Sequence, residues 1–351
     1  MRRAAVLALS LFLPVLALVP GAGLSAGPAS APPFAPSVGH RLAGFALDRE
    51  WLALAEDPAA TGRCPIVRLV DAAGGRPQTL TRPAGPTCRL GGRFWMRPGD
   101  RAVGLAIEKG IWVVRHGTTA IAVKGSPDEP EEVLGRVTAI EPGRGPFLGP
   151  VVATNWLRLF ARYVQGPGGT LAGKVVSGNR RTLWSATGPV LPLGLDDEEH
   201  AVSVGSDGAI AMWHAHGARY GRVETARAKA AAVDHGVVAV LRSDGPRLDV
   251  RGLAGKLVAS WPTAHDAKPL LDAEGGIAVY LAGGSVHAID LATGTDRVVA
   301  RIPRGTALVD AQIERRFIAY AYRGGSAGAG RVVLLRRQER LAPTKTPRRR
   351  R

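Results

Sequence analysis

Short runs of apolar residues, bounded by Gly, Asp or Pro, recur along most of the chain. Runs of four to eight residues, rich in Val, Ile and aromatic side chains, predict β-strands rather than helices. The polar residues between the runs are typical of tight turns, so the strands are predicted to form hairpins. The pattern is clearest in the second half, at residues 201–204, 237–241, 277–280 and 317–320.

An aspartate precedes each of these four runs at a nearly constant interval. Asp197, Asp234, Asp272 and Asp310 lie 37, 38 and 38 residues apart. Each interval predicts four antiparallel strands, the first of which is short, apolar and ends at the Asp. A four-stranded unit repeated about every 40 residues is typical of a β-propeller blade.

The repeat extends into the first half of the chain with longer spacers. First strands are predicted at 45–48, 95–100 and 151–155, with residues 102–106 as the second strand of the second repeat. Seven blades result, or six if the third repeat is not a blade. The segment 125–149, with its acidic residues, is predicted to be a long loop. The predicted fold is therefore an all-β propeller of four-stranded blades.

These residues resemble TolB-type propeller repeats over roughly residues 41 to 341. The resemblance lies in the Asp after the first strand and in a third strand that ends as Asp290-x-x-x-Gly294. The Pro-Asp-Gly turn of that family survives only as Pro98-Gly99-Asp100. The resemblance implies a bacterial extracytoplasmic propeller that serves as a protein-interaction platform, and it implies none of TolB's own partners.

The N-terminus has the layout of a secretory signal. Arg2 and Arg3 precede an apolar run, and small residues follow it. Residues 1–31 are predicted to be a signal peptide, with an uncleaved anchor as the alternative. Residues 32–40 then form a linker, 41–341 the propeller and 342–351 a basic tail. The protein is predicted to be secreted or to lie in the periplasm or cell envelope.

The two cysteines, Cys64 and Cys88, both lie in the first predicted repeat, and their presence agrees with export. A single pair of cysteines in an oxidising compartment predicts a disulfide rather than a metal site, because no Cys-x-x-Cys spacing is present.

The chain carries a formal net charge of +17. Seven of these charges lie at Arg2, Arg3, Lys345 and residues 348–351, which leaves +10 for the rest. A basic exported protein is suited to anionic envelope polymers or acidic protein surfaces. Nucleic acid is disfavoured as a partner because no binding motif is present.

The repeated aspartates are the first candidates for a binding site. In a propeller they would ring the axis at one end, where oxygen ligands could hold calcium. The competing interpretation is structural, with each carboxylate accepting hydrogen bonds from turn N–H groups. The candidates are Asp48, Asp100, Asp197, Asp234, Asp272 and Asp310.

His214 and His216 are candidates for a metal site. Alternate residues of a strand point to the same face, so both imidazoles could share a zinc ion if a third ligand were present. A pair of partly exposed blade residues is the alternative.

The sequence contains no nucleophile elbow, zinc-protease, phosphate-loop or dinucleotide motif. We therefore expect a monomeric, non-enzymatic scaffold that binds a protein or an envelope polymer and needs no cofactor. The alternative is a hydrolase or lactonase that uses a divalent cation, such as calcium, near the axial carboxylates.

Overall fold

The computed structural model describes residues 33–341 apart from 50, 61–62, 73, 75–77, 80, 85–86, 91–92, 97–100, 107–110, 117–118, 127–128, 139–147, 154–157, 166–170, 178–181, 188–189, 197, 199, 206, 215–218, 224–226 and 325–327. The predicted signal segment and basic tail lie outside the described residues. No helix in the described part of the chain is long and apolar enough to cross a membrane.

The described residues form antiparallel sheets whose strands follow chain order. The first sheet contains β1 (His40–Asp48), β2 (Trp51–Pro58), β3 (Ile66–Asp71) and β4 (Gln78–Thr79). A three-stranded sheet follows, with β5 (Thr81–Ala84), β6 (Thr87–Leu90) and β7 (Arg93–Met96). The next contains β8 (Arg101–Ala106), β9 (Ile111–His116), β10 (Thr119–Ser126) and β11 (Glu129–Thr138).

Four further four-stranded sheets and a final three-stranded one complete the fold. They are β12 (Leu148–Ala153), β13 (Arg158–Gln165), β14 (Leu171–Ser177), β15 (Thr182–Thr187); β16 (Val190–Leu195), β17 (His200–Gly205), β18 (Ile210–His214), β19 (Arg219–Val223); β20 (Ala228–Asp234), β21 (Val237–Arg242), β22 (Arg247–Gly252), β23 (Leu257–Pro262); and β24 (Leu271–Glu274), β25 (Ile277–Ala282), β26 (Ser285–Asp290), β27 (Asp296–Arg301). The last sheet has β28 (Thr306–Ile313), β29 (Phe317–Gly324) and β30 (Arg331–Arg336), and it leads into the short helix α1 (Arg337–Leu341).

The first strands of these sheets contact one another in a closed order. β1 contacts β8, and the contacts continue through β12, β16, β20, β24 and β28 back to β1. The predicted all-β propeller is therefore confirmed. The number of blades stays a prediction, since the small sheet β5–β7 is additional to this cycle.

Apolar side chains pack successive sheets face to face. Ala232 and Ala239 of one sheet share a core with Ala278 and Tyr280 of the next. Small side chains suit the inner strands because the space between the sheets of a propeller narrows towards its axis. Burial on both faces also explains why these strands have nearly continuous apolar sequences instead of alternating ones.

Two predictions about the first half are wrong. The first strand of the β8–β11 sheet is Arg101–Ala106, not 95–100, and Trp95 and Met96 belong to the additional sheet. The acidic segment after residue 128 is not a loop, because Glu129–Thr138 forms β11 and pairs with β10. The number of residues between two repeats does not reveal whether the intervening segment forms strands of its own.

The predicted disulfide between Cys64 and Cys88 is confirmed. Its position differs from the prediction, since Cys64 precedes β3 of the first sheet and Cys88 lies in β6 of the additional sheet. The bond therefore joins two sheets, whereas the sequence predicts both cysteines in one repeat. Loop closure over 24 residues stabilises the fold by about 3 kcal/mol in the chain-entropy model.

Candidate binding face

Five described turns between the first and second strands of a sheet carry an acidic residue. It ends the first strand or directly follows it, and the five described cases are Asp48, Asp196, Asp234, Glu274 and Glu314. We call these five turns, residues 48–51, 196–200, 234–237, 274–277 and 314–317, the turn face. Hydrogen bonds between neighbouring turns place them at one end of the ring.

Carboxylates of the turn face join each sheet to the next. Asp196 Oδ2 accepts a hydrogen bond from the Gly236 N–H at 3.2 Å, and Asp234 Oδ2 accepts one from the Gly276 N–H at 2.6 Å. Gly236 and Gly276 both have φ of +74°, which the tight turn requires and which a side chain would strain. Charge-assisted hydrogen bonds of this type hold a turn in place.

Asp272 and Asp310 lie elsewhere than predicted. Asp272 is the second residue of β24 and pairs with Val279, while Asp310 lies within β28 and pairs with Ala321. The prediction that both end their strands at the turn is therefore wrong. The Oδ1 atom of each accepts a hydrogen bond from the N–H of the following residue. Asp272 Oδ2 also accepts one from the Ile313 N–H at 2.8 Å.

The residues that do occupy the turn in these two sheets are Glu274 and Glu314. The turn acids Asp196, Asp234, Glu274 and Glu314 lie 38, 40 and 40 residues apart. Counting back three residues from each second apolar run would have found Glu274 and Glu314, since a two-residue hairpin loop fixes that distance. Asp48 and Asp234 lie at the turn as predicted, whereas Asp100 and Asp197 lie outside the described residues.

Burial raises the pKa of three carboxyl groups near the axis. Desolvation, with a smaller contribution from the Asp310 charge, raises the pKa of Asp272 to about 7, although the Ile313 N–H opposes it. Desolvation also raises the pKa of Asp310 to about 6. For Glu314, desolvation and the charges of Asp272, Glu274 and Asp48 raise the pKa to about 8. The protonation of these three groups therefore changes between about pH 6 and pH 8.

Arginines compensate part of this acidity. Arg337 at the start of α1 donates a hydrogen bond from Nη2 to the Gly275 carbonyl at 2.8 Å, and burial lowers its pKa. Arg315 Nε lies 3.6 Å from Glu274 Oε1. The turn face therefore contains both carboxylates and guanidinium groups.

A histidine joins the turn acids at the β16–β17 turn. His200 Nδ1 lies 2.9 Å from Asp196 Oδ2 and 3.8 Å from Glu198 Oε2, and the backbone N–H of His200 donates to Asp196 Oδ1 at 2.8 Å. Among the described residues, only Asp196, Glu198 and His200 bring three potential metal ligands within 4.8 Å of one another.

The predicted metal candidate His214 lies at the end of β18, directly opposite His200 in the ladder. The centroids of the two imidazole rings are 5.7 Å apart. His216 lies outside the described residues, so the predicted pairing of His214 with His216 stays a prediction. Sequence reasoning missed the proximity of His214 to His200 because it depends on strand register.

Trp51 gives the turn face an exposed apolar group. Its relative accessibility is 42%. At the same position of the last sheet, Phe317 is 6% exposed. An exposed tryptophan on a rigid hairpin is the type of residue that anchors protein interfaces.

The comparisons with known proteins agree on the fold. A chain of the mitotic checkpoint complex superposes with a TM-score of 0.57 at 11% identity, covering 94% of this chain and 98% of that one. The fold is that of a propeller. YCF48 bound to D1 peptide superposes with a TM-score of 0.50 at 10% identity, covering 87% of this chain and 95% of that one.

No family model matches this propeller, and no curated protein is similar to it in sequence. Identities of 10 and 11% support the fold alone. The TolB-type assignment of the repeats therefore stays a prediction.

Proposed function

We propose that the protein is an exported propeller scaffold that binds a protein segment through its turn face. Trp51 is the observation that carries this proposal, because it exposes a large apolar side chain on the β1–β2 hairpin. Asp48 and Arg49 precede it in the same turn and can supply polar contacts at the edge of an interface. The D1 peptide bound to YCF48 supports a peptide-binding role for this type of fold.

Export is part of this proposal. It rests on the signal-like layout of residues 1–31, and the disulfide between Cys64 and Cys88 supports it. The monomeric state also remains part of the proposal.

The enzymatic alternative is less well supported. Among the described residues, Asp234 and Asp272 belong to no group of three potential metal ligands, and both accept backbone hydrogen bonds from the next sheet. These contacts favour a structural role for both aspartates.

Capture from a cell-envelope extract tests the scaffold. The bait is the full chain, compared with Trp51→Ser and with Val258→Ser, a control that removes a 70% exposed apolar group from the outer strand β23. We expect one protein to be enriched by the wild type and the control and to be reduced about tenfold or more by Trp51→Ser, since such anchors dominate binding energy.

Equal capture by all three baits would contradict the turn face as the binding surface. Capture of an envelope polymer from extract digested with protease, with no protein enriched before digestion, would contradict a protein partner.

A further inference from the structure

The β16–β17 turn departs from the other turns in length and composition. Two residues separate the turn acid from the start of the second strand at Asp48 and Asp234, but three do so after Asp196. The Asp196 N–H closes this longer turn by donating to the His200 carbonyl at 3.0 Å. The extra residue brings a second carboxylate, that of Glu198, into the turn.

The residue that opens the second strand also differs. It is apolar in the other described sheets with such a turn, as Trp51, Val237, Ile277 and Phe317 show. In this sheet it is His200, which is only 9% exposed. Burial of an imidazole costs free energy that an apolar side chain at this position would not, and the hydrogen bond between Nδ1 and Asp196 offsets part of this cost.

The three side chains of this turn are spaced for a chelate. Their donor atoms come from alternate positions, Asp196, Glu198 and His200, and lie within 4.8 Å of one another. Zinc bonds of about 2.0–2.2 Å to nitrogen and oxygen set neighbouring tetrahedral ligands about 3.3 Å apart. The separations from His200 Nδ1, 2.9 Å to Asp196 and 3.8 Å to Glu198, bracket that value.

The surroundings of the three ligands differ in a way that suits metal binding. The Asp196 carboxylate is held in place by the N–H groups of His200 and Gly236, which orients it before any ion arrives. The Glu198 side chain is 55% exposed and gives access from solvent. A bound ion would therefore have two fixed ligands, one adjustable ligand and an open side for water.

We propose that Asp196, Glu198 and His200 bind a divalent transition-metal ion, with Zn²⁺ as the best match. His200 supplies Nδ1, the two acids supply one carboxylate oxygen each, and water completes the tetrahedron. An imidazole in the ligand set selects Zn²⁺ over Ca²⁺, which prefers oxygen ligands alone. The ring of His214, 5.7 Å from that of His200, lies next to this site.

Titration calorimetry with Zn²⁺ tests the site on the full chain, purified without a polyhistidine tag and treated with a chelator. We expect one ion per chain, and Glu198→Gln lowers its affinity about tenfold or more. Because Glu198 is exposed, this variant retains the fold, which a thermal melt verifies. His200→Gln, measured in parallel, is expected to abolish binding.

The matched control is His235→Gln. His235 forms the same kind of His–Asp pair in the next turn, with Nδ1 2.6 Å from Asp234 Oδ1, but that turn has no third ligand. We expect the control to bind Zn²⁺ as tightly as the wild type. Absence of stoichiometric binding, unchanged affinity in Glu198→Gln, or an equal loss in His235→Gln would overturn the proposal. Equal affinity for Ca²⁺ would also overturn it.

Discussion

Glu314 holds a carboxyl group in surroundings that disfavour its ionised form. Burial and the charges of three other carboxylates raise its pKa, and its own charge acts in turn on the Arg337 guanidinium. Burial also raises the pKa of Asp272 and Asp310, which lie on the first strands β24 and β28. At the scale of single residues, the protonation of these three carboxyl groups therefore depends on pH near neutrality.

We predict that the free energy of unfolding falls as pH rises from about 5 to about 8. Native Glu314 keeps its proton up to its pKa of about 8, whereas the unfolded chain releases it near 4.5, so the native state binds more protons in this window. Glu314→Gln cannot lose a proton. Its urea midpoint is expected to fall less than that of the wild type between pH 5.5 and 8.5.

Asp244→Asn is the control for this measurement. The hydrogen bond from Arg242 lowers the pKa of Asp244 to about 2, so this group stays ionised throughout the window. The pH dependence of this variant should equal that of the wild type. An equal dependence in Glu314→Gln would show that Glu314 does not titrate in this range.

Among the elements, the last sheet is completed from the other end of the chain. Phe34 exchanges two backbone hydrogen bonds with Val332 of β30, at 2.8 and 3.1 Å. The segment around Phe34, predicted as a linker, thereby adds to the edge of a sheet that has only three strands of its own. The Phe34 side chain also packs on the core between the first and last sheets.

We predict that Phe34→Ala lowers the free energy of unfolding by about 2 kcal/mol, less than a fully buried Phe because Phe34 is only half-buried. Val38→Ala, at a position that is 95% exposed in the same segment, should change it by less than about 0.5 kcal/mol. Urea unfolding of both variants gives the comparison. Equal effects would mean that packing of the Phe34 side chain on this core does not stabilise the protein.

On the scale of the whole molecule, the side chain of Gln312 helps to join the last sheet to the first. Gln312 Oε1 accepts a hydrogen bond from the Leu47 N–H at 2.8 Å, and Gln312 Nε2 donates to the Phe45 carbonyl at 3.1 Å. These contacts span more than 260 residues of sequence. At this junction the first and last sheets share an apolar core. Both hydrogen bonds hold the two sheets together and so keep water out of that core.

We predict that Gln312→Ala destabilises the protein by about 1–3 kcal/mol, because it leaves two backbone groups without their partner. Gln338→Ala, at an exposed position of α1, is the matched control and should be neutral. When Gln312→Ala is combined with Phe34→Ala, the loss in free energy of unfolding should differ from the sum of the two single losses by about 0.5 kcal/mol or more. We expect this because both residues act at one junction. Full additivity would mean that the two contacts close the ring independently.

Sequence patterns predicted the elements whose determinants are local. The strands of the second half, the hairpin at Asp234 and the cysteine pair were found because run length, turn residues and cysteine count are properties of short segments. The same patterns placed Asp272 and Asp310 at turns, which is wrong. The bulge before Asp310 and the extra residues that follow Asp272 shift the register while the spacing remains regular.

The sequence by itself determined a repeated antiparallel fold, because the alternation of apolar runs and turn residues recurs along the chain. Only the tertiary structure decided which residues meet across sheets. The Asp196 carboxylate reaches Gly236, His200 faces His214, and Gln312 reaches Phe45. Such contacts depend on strand register and on the packing of whole sheets, and neither is encoded in the residues next to them in the chain.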